Sequence, residues 1–463
     1  MEFDAVIVGS GQGGVPLATA LAAKGERTAI IEMGAVGGSC INYGCTPTKT
    51  MVASARVAHQ VARAQEFGVN ATHGSHIVNM ARIRDRKRNI VDSFRSSSER
   101  RIESSENLTL IRGAASFVDS HSLTVSDAAG HETASITARR IFLNTGTRAA
   151  TPEIEGLEKV EYLTNETITE LDEVPEHLMI VGGGYIGVEF GQMFRRFGAK
   201  VTIVQHGPNL LSREDDDLSA EIAGILRDEG ITLLFESYPV AVSGDRELTV
   251  TVHTPGGADR ITGSHLLLAA GRTPNSDRLN LSGTGIETDS RGYVKVNDRL
   301  ETAVEGVWAL GDIKGGPAFT HISYDDFRII MRNLYGDGKA STRERLLPYT
   351  VFTDPQIGRI GVGENEARGA GRKIRVAKMP MSWVARALEV DETRGFMKAV
   401  VDEETDRILG FSMIGIEAGE IAGAVQIAMM GGLPFTALRD GIFSHPTLLE
   451  SLNNLFGAFQ QGH

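Results

Sequence analysis

The sequence predicts an α/β protein made of two copies of one strand–turn–helix–strand unit, followed by a separate α+β domain. Three observations carry this. "AVIVGSGQGGVPLATALAAKGERTAIIE" opens the chain. "HLMIVGGGYIGVEFGQMFRRFGAKVTIVQ" repeats its pattern further on. The segment 346–463 shows alternating patterns such as "GFMKAVVDEETDRILGFSMIG" and lacks the glycine turn.

In the first unit, "AVIV" reads as a buried strand, "VPLATALAAKG" as a helix closed by Gly25, and "RTAIIE" as a second strand. Between strand and helix lie Gly9, Gly11 and Gly14, spaced G-x-G-x-x-G, and Glu32 ends the second strand 23 residues after Gly9. The second unit has Gly182, Gly184 and Gly187 in the same places, and Gln205 lies 23 residues after Gly182. One such glycine pattern is weak evidence. Two at the same offset define two Rossmann-like dinucleotide-binding units. The first glycine allows the tight turn and the second lets a pyrophosphate approach the backbone. The third lets the helix pack on the strand, with its amino terminus facing the phosphates.

The remaining segments fall around these units. Residues 54–105 read as long polar helices inserted in the first unit, and the basic run "RIRDRKR" at 82–88 as a solvated helix face. "ARRIFLNTGTRAATPEIEG" is a strand, a glycine turn and a connector, nearly repeated by "HLLLAAGRTPN" after the second unit. "EGVWALGD" is a strand ending in an acid. The expected boundaries are 1–147 and 275–345 for the first dinucleotide domain, 148–274 for the second, and 346–463 for the carboxyl-terminal domain.

Net charge is -12 and the pI near 5.6, which argues against a nucleic-acid surface. "MEFDAVIVGSG" has acids where a signal peptide needs basic residues. No stretch reaches the roughly 18 consecutive apolar residues of a membrane span. A cytoplasmic protein is expected, with no nucleic-acid or membrane partner.

The chain has only two cysteines, both in "GGSCINYGCTPTK". In a reducing compartment, such a pair points to catalysis or metal binding. A zinc site needs a second ligand pair, for which His73 and His76 are the candidates. Two independent buried thiols are a further reading. Neither explains the glycines at 37, 38 and 44. A redox dithiol does: Cys45 would open a helix, with Pro47 in its first turn, where the dipole favours thiolate. The glycines would let a cofactor come close.

The cysteine segment resembles the active-site segment of the class I pyridine nucleotide–disulfide oxidoreductases, which include glutathione reductase, dihydrolipoamide dehydrogenase and mercuric reductase. The resemblance extends over both glycine fingerprints, "LNTG", "AAGRTPN", "GVWALGD" and "HPTLLE". It implies an NAD(P)H-dependent flavoprotein disulfide reductase acting as a homodimer. Gly9, Gly11 and Gly14 would hold the FAD pyrophosphate and Glu32 its ribose. Ser39, Gly113, Ala115, Thr145, Gly146, Asp312 and Thr320 would be further FAD contacts. Gly182, Gly184, Gly187, Gln205, His206 and Gly271 would hold the nicotinamide nucleotide.

The resemblance also implies roles in catalysis. Cys45 would be the thiol against the flavin and Cys40 the exposed one that exchanges with a small disulfide substrate. Lys49, one turn beyond Cys45, would pair with Glu189 near the flavin. His445 would be the acid–base, supplied by the partner subunit and oriented by Glu450. Pro446 would start the helix that carries Glu450.

Gln205 stands where an acid would bind the NADH ribose, and His206 and Arg213 follow, which favours NADPH. The carboxyl-terminal "NNLFGAFQQGH" lacks the cysteine pair of known mercuric reductases. Tyr43 and "CTPTKT" bring the chain nearest to the mercuric-reductase-like group. A metal ion or quinone as electron acceptor, or dihydrolipoamide dehydrogenase activity, are the alternatives.

Overall fold

The computed structural model describes residues 1–70 and 78–460, with Gln460 described by backbone only. His73 and His76 lie outside the described residues.

The first sheet has the strand order Leu108–Arg112, Thr28–Glu32, Glu2–Val8, Glu132–Leu143, Ser122–Ser126, Ala114–Phe117. Val307–Ala309 adds to it beside Glu132–Leu143. Glu2–Val8 pairs in parallel on both sides. Its residues from Ala5 to Val8 are buried, as a strand covered on both faces must be. One face packs Val6, Val8 and Ile141 against Phe117 and Val307. The other packs Ile7 and Phe142 against Leu17 and Leu21 of the helix Gly14–Ala23.

The second unit is a parallel sheet ordered Thr232–Leu234, Lys200–Val204, His177–Val181, His265–Leu268. A three-stranded antiparallel sheet, Tyr238–Gly244, Leu248–Thr254 and Gly257–Gly263, packs beside it. The chain crosses between the two units through paired short strands, Thr147–Ala149 and Arg272–Pro274. The carboxyl-terminal domain is a five-stranded antiparallel sheet covered by the helices Ala418–Met430 and Ser451–Gly457.

The long helices are Cys45–Ala62 and Met80–Glu103. The basic run differs from expectation. Lys87 is only 2% exposed and bonds Glu170, and Arg86 donates to the Thr50 carbonyl at 3.0 Å. Arg84 and Arg88 pair with Asp172 and Glu170. The run is therefore a docking face against the segment around 170, because matching acids there replace the water that a free basic face would hold.

The second unit is held to the carboxyl-terminal domain by buried ion pairs. Lys398, 2% exposed, reaches Asp215 at 2.7 Å and Asp217 at 2.8 Å. Arg196 and Arg394 share Glu229, each at 2.8 Å. Removing one partner of such a set costs about 3–5 kcal/mol, because the other charge is left buried and uncompensated.

Candidate active site

The two glycine turns are built alike. A Cβ on Gly9 would stand 2.4 Å from the Asn144 carbonyl oxygen, and one on Gly182 2.4 Å from that of Ala269. A Cβ on Gly14 would meet the Gly9 carbonyl at 2.2 Å, and one on Gly187 the Gly182 carbonyl at 1.9 Å. Backbone carbonyls cannot move aside, so these four positions require glycine. Gly11 is limited by a side chain, Asn144 Nδ2 at 2.8 Å. At Gly184 the protein leaves room for a Cβ. The chain itself does not require glycine there, whereas a phosphate lying close to the backbone does.

The strand ends also correspond. Glu32 Oε2 accepts from Ser10 N at 2.9 Å and its hydroxyl at 2.6 Å, and Oε1 accepts from Gly34 N at 2.7 Å. Gln205 Oε1 accepts from Gly183 N at 2.8 Å, and Nε2 donates to the Asn209 carbonyl at 3.1 Å. The second unit thus keeps the geometry of the first without its charge.

Gly113, with φ 145°, donates its N–H to the Glu32 carbonyl at 3.0 Å. Ala115 packs in the core. Gly146 and Gly271 both have positive φ, and the Gly271 carbonyl accepts from Ala150 N where the chain crosses between units. The Thr145 hydroxyl is buried with no partner among the described residues. Asp312 Oδ2 accepts from the Thr147 hydroxyl at 3.2 Å, which in turn accepts from Arg272 Nε at 2.6 Å. Burial pushes the Asp312 carboxyl up, and the Arg272 charge opposes this. The glycine cradle, the carboxylate at the strand end and the unpartnered hydroxyl fit an adenine dinucleotide.

Ser39 and Cys40 lie in the short helix Gly38–Asn42, entered through Gly37 and Gly38 at positive φ. Cys45 is the first residue of the helix Cys45–Ala62. Both thiols are free. Cys45 is exposed and Cys40 half-buried. Cys40 lies within the short helix and Cys45 opens the next one. Cys45 Sγ lies 3.3 Å from Thr320 Oγ1.

Cys45 is drawn down to about 6. The Cys40 thiol, donating to its sulfur, is the main cause; burial opposes, and the Thr320 hydroxyl and Lys49 charge assist. The same hydrogen bond, with burial, pushes Cys40 far up. The pair therefore rests as Cys45 thiolate and Cys40 thiol.

Lys49 Nζ meets Glu189 Oε2 at 2.6 Å, and Glu189 Oε1 accepts from Phe352 N at 2.7 Å. Lys49 also stands 5.0 Å from the Phe352 ring centroid. His445 Nδ1 lies 2.9 Å from Glu450 Oε2. Pro446 does not start a helix. The Thr447 hydroxyl donates to the Ser444 carbonyl and accepts from Glu450 N, closing a turn that brings Glu450 back onto the imidazole. The helix begins only at Ser451. His445 is 69% exposed.

One constellation escaped the sequence reading. Buried Glu214 accepts from the Tyr185 hydroxyl at 2.9 Å, the Tyr349 hydroxyl at 2.6 Å and Arg359 at 2.9 Å. Phe319 stacks on Tyr349 at 5.2 Å and on His321 at 5.4 Å. Its neighbour Thr320 is the Cys45 partner. A tyrosine inside the second glycine fingerprint, directly after Gly184, was the sign in the sequence. Among the described residues, no group of three or more His, Cys, Asp or Glu side chains could hold a metal ion.

Comparison with known proteins shows the family. Residues 3–326 match the family described as pyridine nucleotide-disulphide oxidoreductase, and 347–456 match its dimerisation domain. The chain therefore belongs to the class I pyridine nucleotide–disulfide oxidoreductases. It is an NAD(P)H-dependent, FAD-dependent flavoprotein disulfide reductase, and its dimerisation domain supports a homodimer.

Among individual proteins, it is 39% identical to the probable pyridine nucleotide-disulfide oxidoreductase RclA of Escherichia coli, over 98% of this chain and 99% of that one. It is 32% identical to a mercuric reductase of Lysinibacillus sphaericus, over 97% of this chain and 81% of that one. A solved structure described as a Cu(II) complex of HOCl-induced flavoprotein disulfide reductase RclA superposes with a TM-score of 0.89. It shares 37% identity over 99% of both chains. Among the described residues, no helix is long and apolar enough to cross a membrane.

Proposed function

We propose that this chain is an NADPH-linked reductase whose Cys40 and Cys45 form the redox pair and exchange with a small disulfide. The observation that carries the proposal is the placement of the only two cysteines, both free, on consecutive helices, with Cys45 opening the second and its sulfur 3.3 Å from the Thr320 hydroxyl. FAD would be held by Gly9, Gly11, Gly14, Glu32, Ser39, Gly113, Ala115, Thr145, Gly146, Asp312 and Thr320. It supplies two-electron redox chemistry between nicotinamide and dithiol. The nucleotide would lie on Gly182, Gly184, Gly187, Gln205, His206 and Gly271.

Cys40 is held protonated, so it needs a base to become a nucleophile. His445 of the partner subunit, oriented by Glu450, would remove that proton. The Cys40 thiolate attacks one substrate sulfur and the substrate S–S bond breaks. The first thiol departs with the proton from His445. Cys45 thiolate then attacks the Cys40 sulfur, closing the Cys40–Cys45 disulfide and releasing the second sulfur as a thiolate, which takes its proton from water. Lys49, anchored by Glu189, holds positive charge near the Cys45 thiolate throughout.

A second reading takes a metal ion, Cu(II) or Hg(II), as the electron acceptor. A thiolate at Cys45 would serve as a ligand to such an ion without Cys40, and the descriptions of the relatives name both metals. NADPH oxidation by Cys40→Ser protein decides between them. Loss of disulfide turnover with metal-ion turnover retained favours the second reading. Retained disulfide turnover overturns the first.

A further inference from the structure

We propose that a cavity between the second unit and the carboxyl-terminal domain binds a small organic anion, a carboxylate or phosphate carried on an apolar body.

The cavity has a volume of about 640 Å³, which suits a small molecule. Three parts of the chain close around it. Arg213 comes from the loop after the strand Lys200–Val204, and Arg343 and Arg345 from the segment before the strand Tyr349–Val351. Arg359, Arg372 and Arg407 come from the carboxyl-terminal domain. Among the described residues, the lining includes none of those proposed above to hold FAD or the nicotinamide nucleotide, and neither cysteine.

Six arginines thus surround one space in a chain whose net charge is -12. Converging like charges repel, so their grouping needs a cause. In the run at 82–88 matching acids supply it, since Lys87, Arg84 and Arg88 meet Glu170 and Asp172. Around the cavity the matching is partial. Arg343 pairs with Asp298 at 2.9 Å, Arg345 with Asp326 at 2.8 Å and Arg359 with Glu214 at 2.9 Å. Arg213, Arg372 and Arg407 make no ion pair and no side-chain hydrogen bond among the described residues. Glu344 and Glu366 are the acids of the lining, and Glu366 lies 3.4 Å from Arg359. Three guanidinium groups therefore border the cavity without a counter-charge.

Much of the remaining wall is apolar. Leu346, Val362, Leu409, Met429 and Leu433 line it, and Leu433 is 45% exposed. A guanidinium presents its N–H donors in a planar fork that fits the oxygens of a carboxylate or phosphate. Apolar walls beside it strengthen that attraction by excluding water. An anion with an apolar body uses both surfaces. An inorganic ion would leave the apolar wall wet, and a neutral molecule would leave the arginines uncompensated.

The test is calorimetric titration of the FAD-loaded dimer with 1-anilinonaphthalene-8-sulfonate, an aromatic anion. NAD⁺ and NADP⁺ are present together, so that the nucleotide site is filled whichever it prefers. The probe should bind once per chain. Arg213→Gln, Arg372→Gln and Arg407→Gln should each weaken it about tenfold. Leu433→Ser should weaken it too, because the rings lose part of their apolar seat. Arg260→Gln, at an exposed arginine outside the cavity, should change nothing. 4-Phenylbutyrate and 4-phenylbutyl phosphate should displace the probe, and the stronger of the two assigns the head group. 4-Phenylbutanol should not displace it. Absence of saturable binding with both nucleotides present overturns the proposal. So does an affinity that is unchanged in all three cavity arginine variants, or lowered equally by Arg260→Gln. Displacement by the alcohol as strong as by the two anions overturns the anionic class.

Discussion

Lys49 and Glu189 meet at 2.6 Å although 140 positions separate them, which joins the cysteine-bearing helix to the helix of the second glycine unit. Glu189 is buried and serves two donors, Lys49 Nζ and Phe352 N. Glu189→Gln keeps an acceptor for the Phe352 N–H and loses the counter-charge. Glu189→Ala loses both. Denaturant titration of the FAD-loaded protein should therefore show a larger loss for alanine, on the order of 2–4 kcal/mol, than for glutamine. Equal losses would show that the Phe352 bond contributes nothing.

The thiol pair predicts a pH profile. Cys45 is lowered to about 6, so in reduced protein its thiolate fraction, and with it the rate of alkylation by iodoacetamide, should fall as pH drops through that value. Cys40→Ala removes the main donor and should move the midpoint upward. Thr320→Val should move it upward by less. Peptide mapping after brief alkylation identifies the reacting residue. Preferential labelling of Cys40 at neutral pH would refute the assignment.

The glycine turns should separate two kinds of substitution. Gly187→Ala places a methyl 1.9 Å from a backbone carbonyl and should destabilise the second unit. Gly184→Ala has room in the chain, so it should leave the unfolding midpoint unchanged while raising KM for the nicotinamide nucleotide. A Gly184→Ala protein with normal KM would remove that position from the phosphate site.

Nucleotide preference should follow the strand-end charge. Gln205→Glu adds an acceptor for a ribose hydroxyl and a charge that repels phosphate. The ratio of kcat/KM for NADPH to that for NADH should fall by about tenfold or more. A wild-type preference for NADH would reverse the proposal.

The partner contribution can be tested by complementation. His445→Ala and Cys45→Ala homodimers should each lose disulfide reduction, by roughly 10²–10⁴-fold for the histidine. In a differently tagged heterodimer of the two, one site carries both defects and the other neither. About half of wild-type activity should return. Recovery no greater than the sum of the parents would place His445 in its own chain's site, or in none.

The sequence by itself determined the two glycine units, the register of Glu32 and Gln205, the thiol at a helix start, and the acid five residues after His445. Each is local: a steric demand within one turn, or a fixed offset along one strand or helix. The run at 82–88 shows the limit. Its composition reads as a solvated face, and only the acids at Glu170 and Asp172 reveal the contact. Pro446 shows another, since Thr447's hydroxyl, and not a helix, brings Glu450 to His445.

Tertiary structure alone decided what meets across the domains. Glu214 gathers Tyr185, Tyr349 and Arg359, and Thr320 reaches Cys45 from 275 positions away. Burying a carboxylate needs donors from whichever elements packing brings near, so no spacing within one segment encodes them.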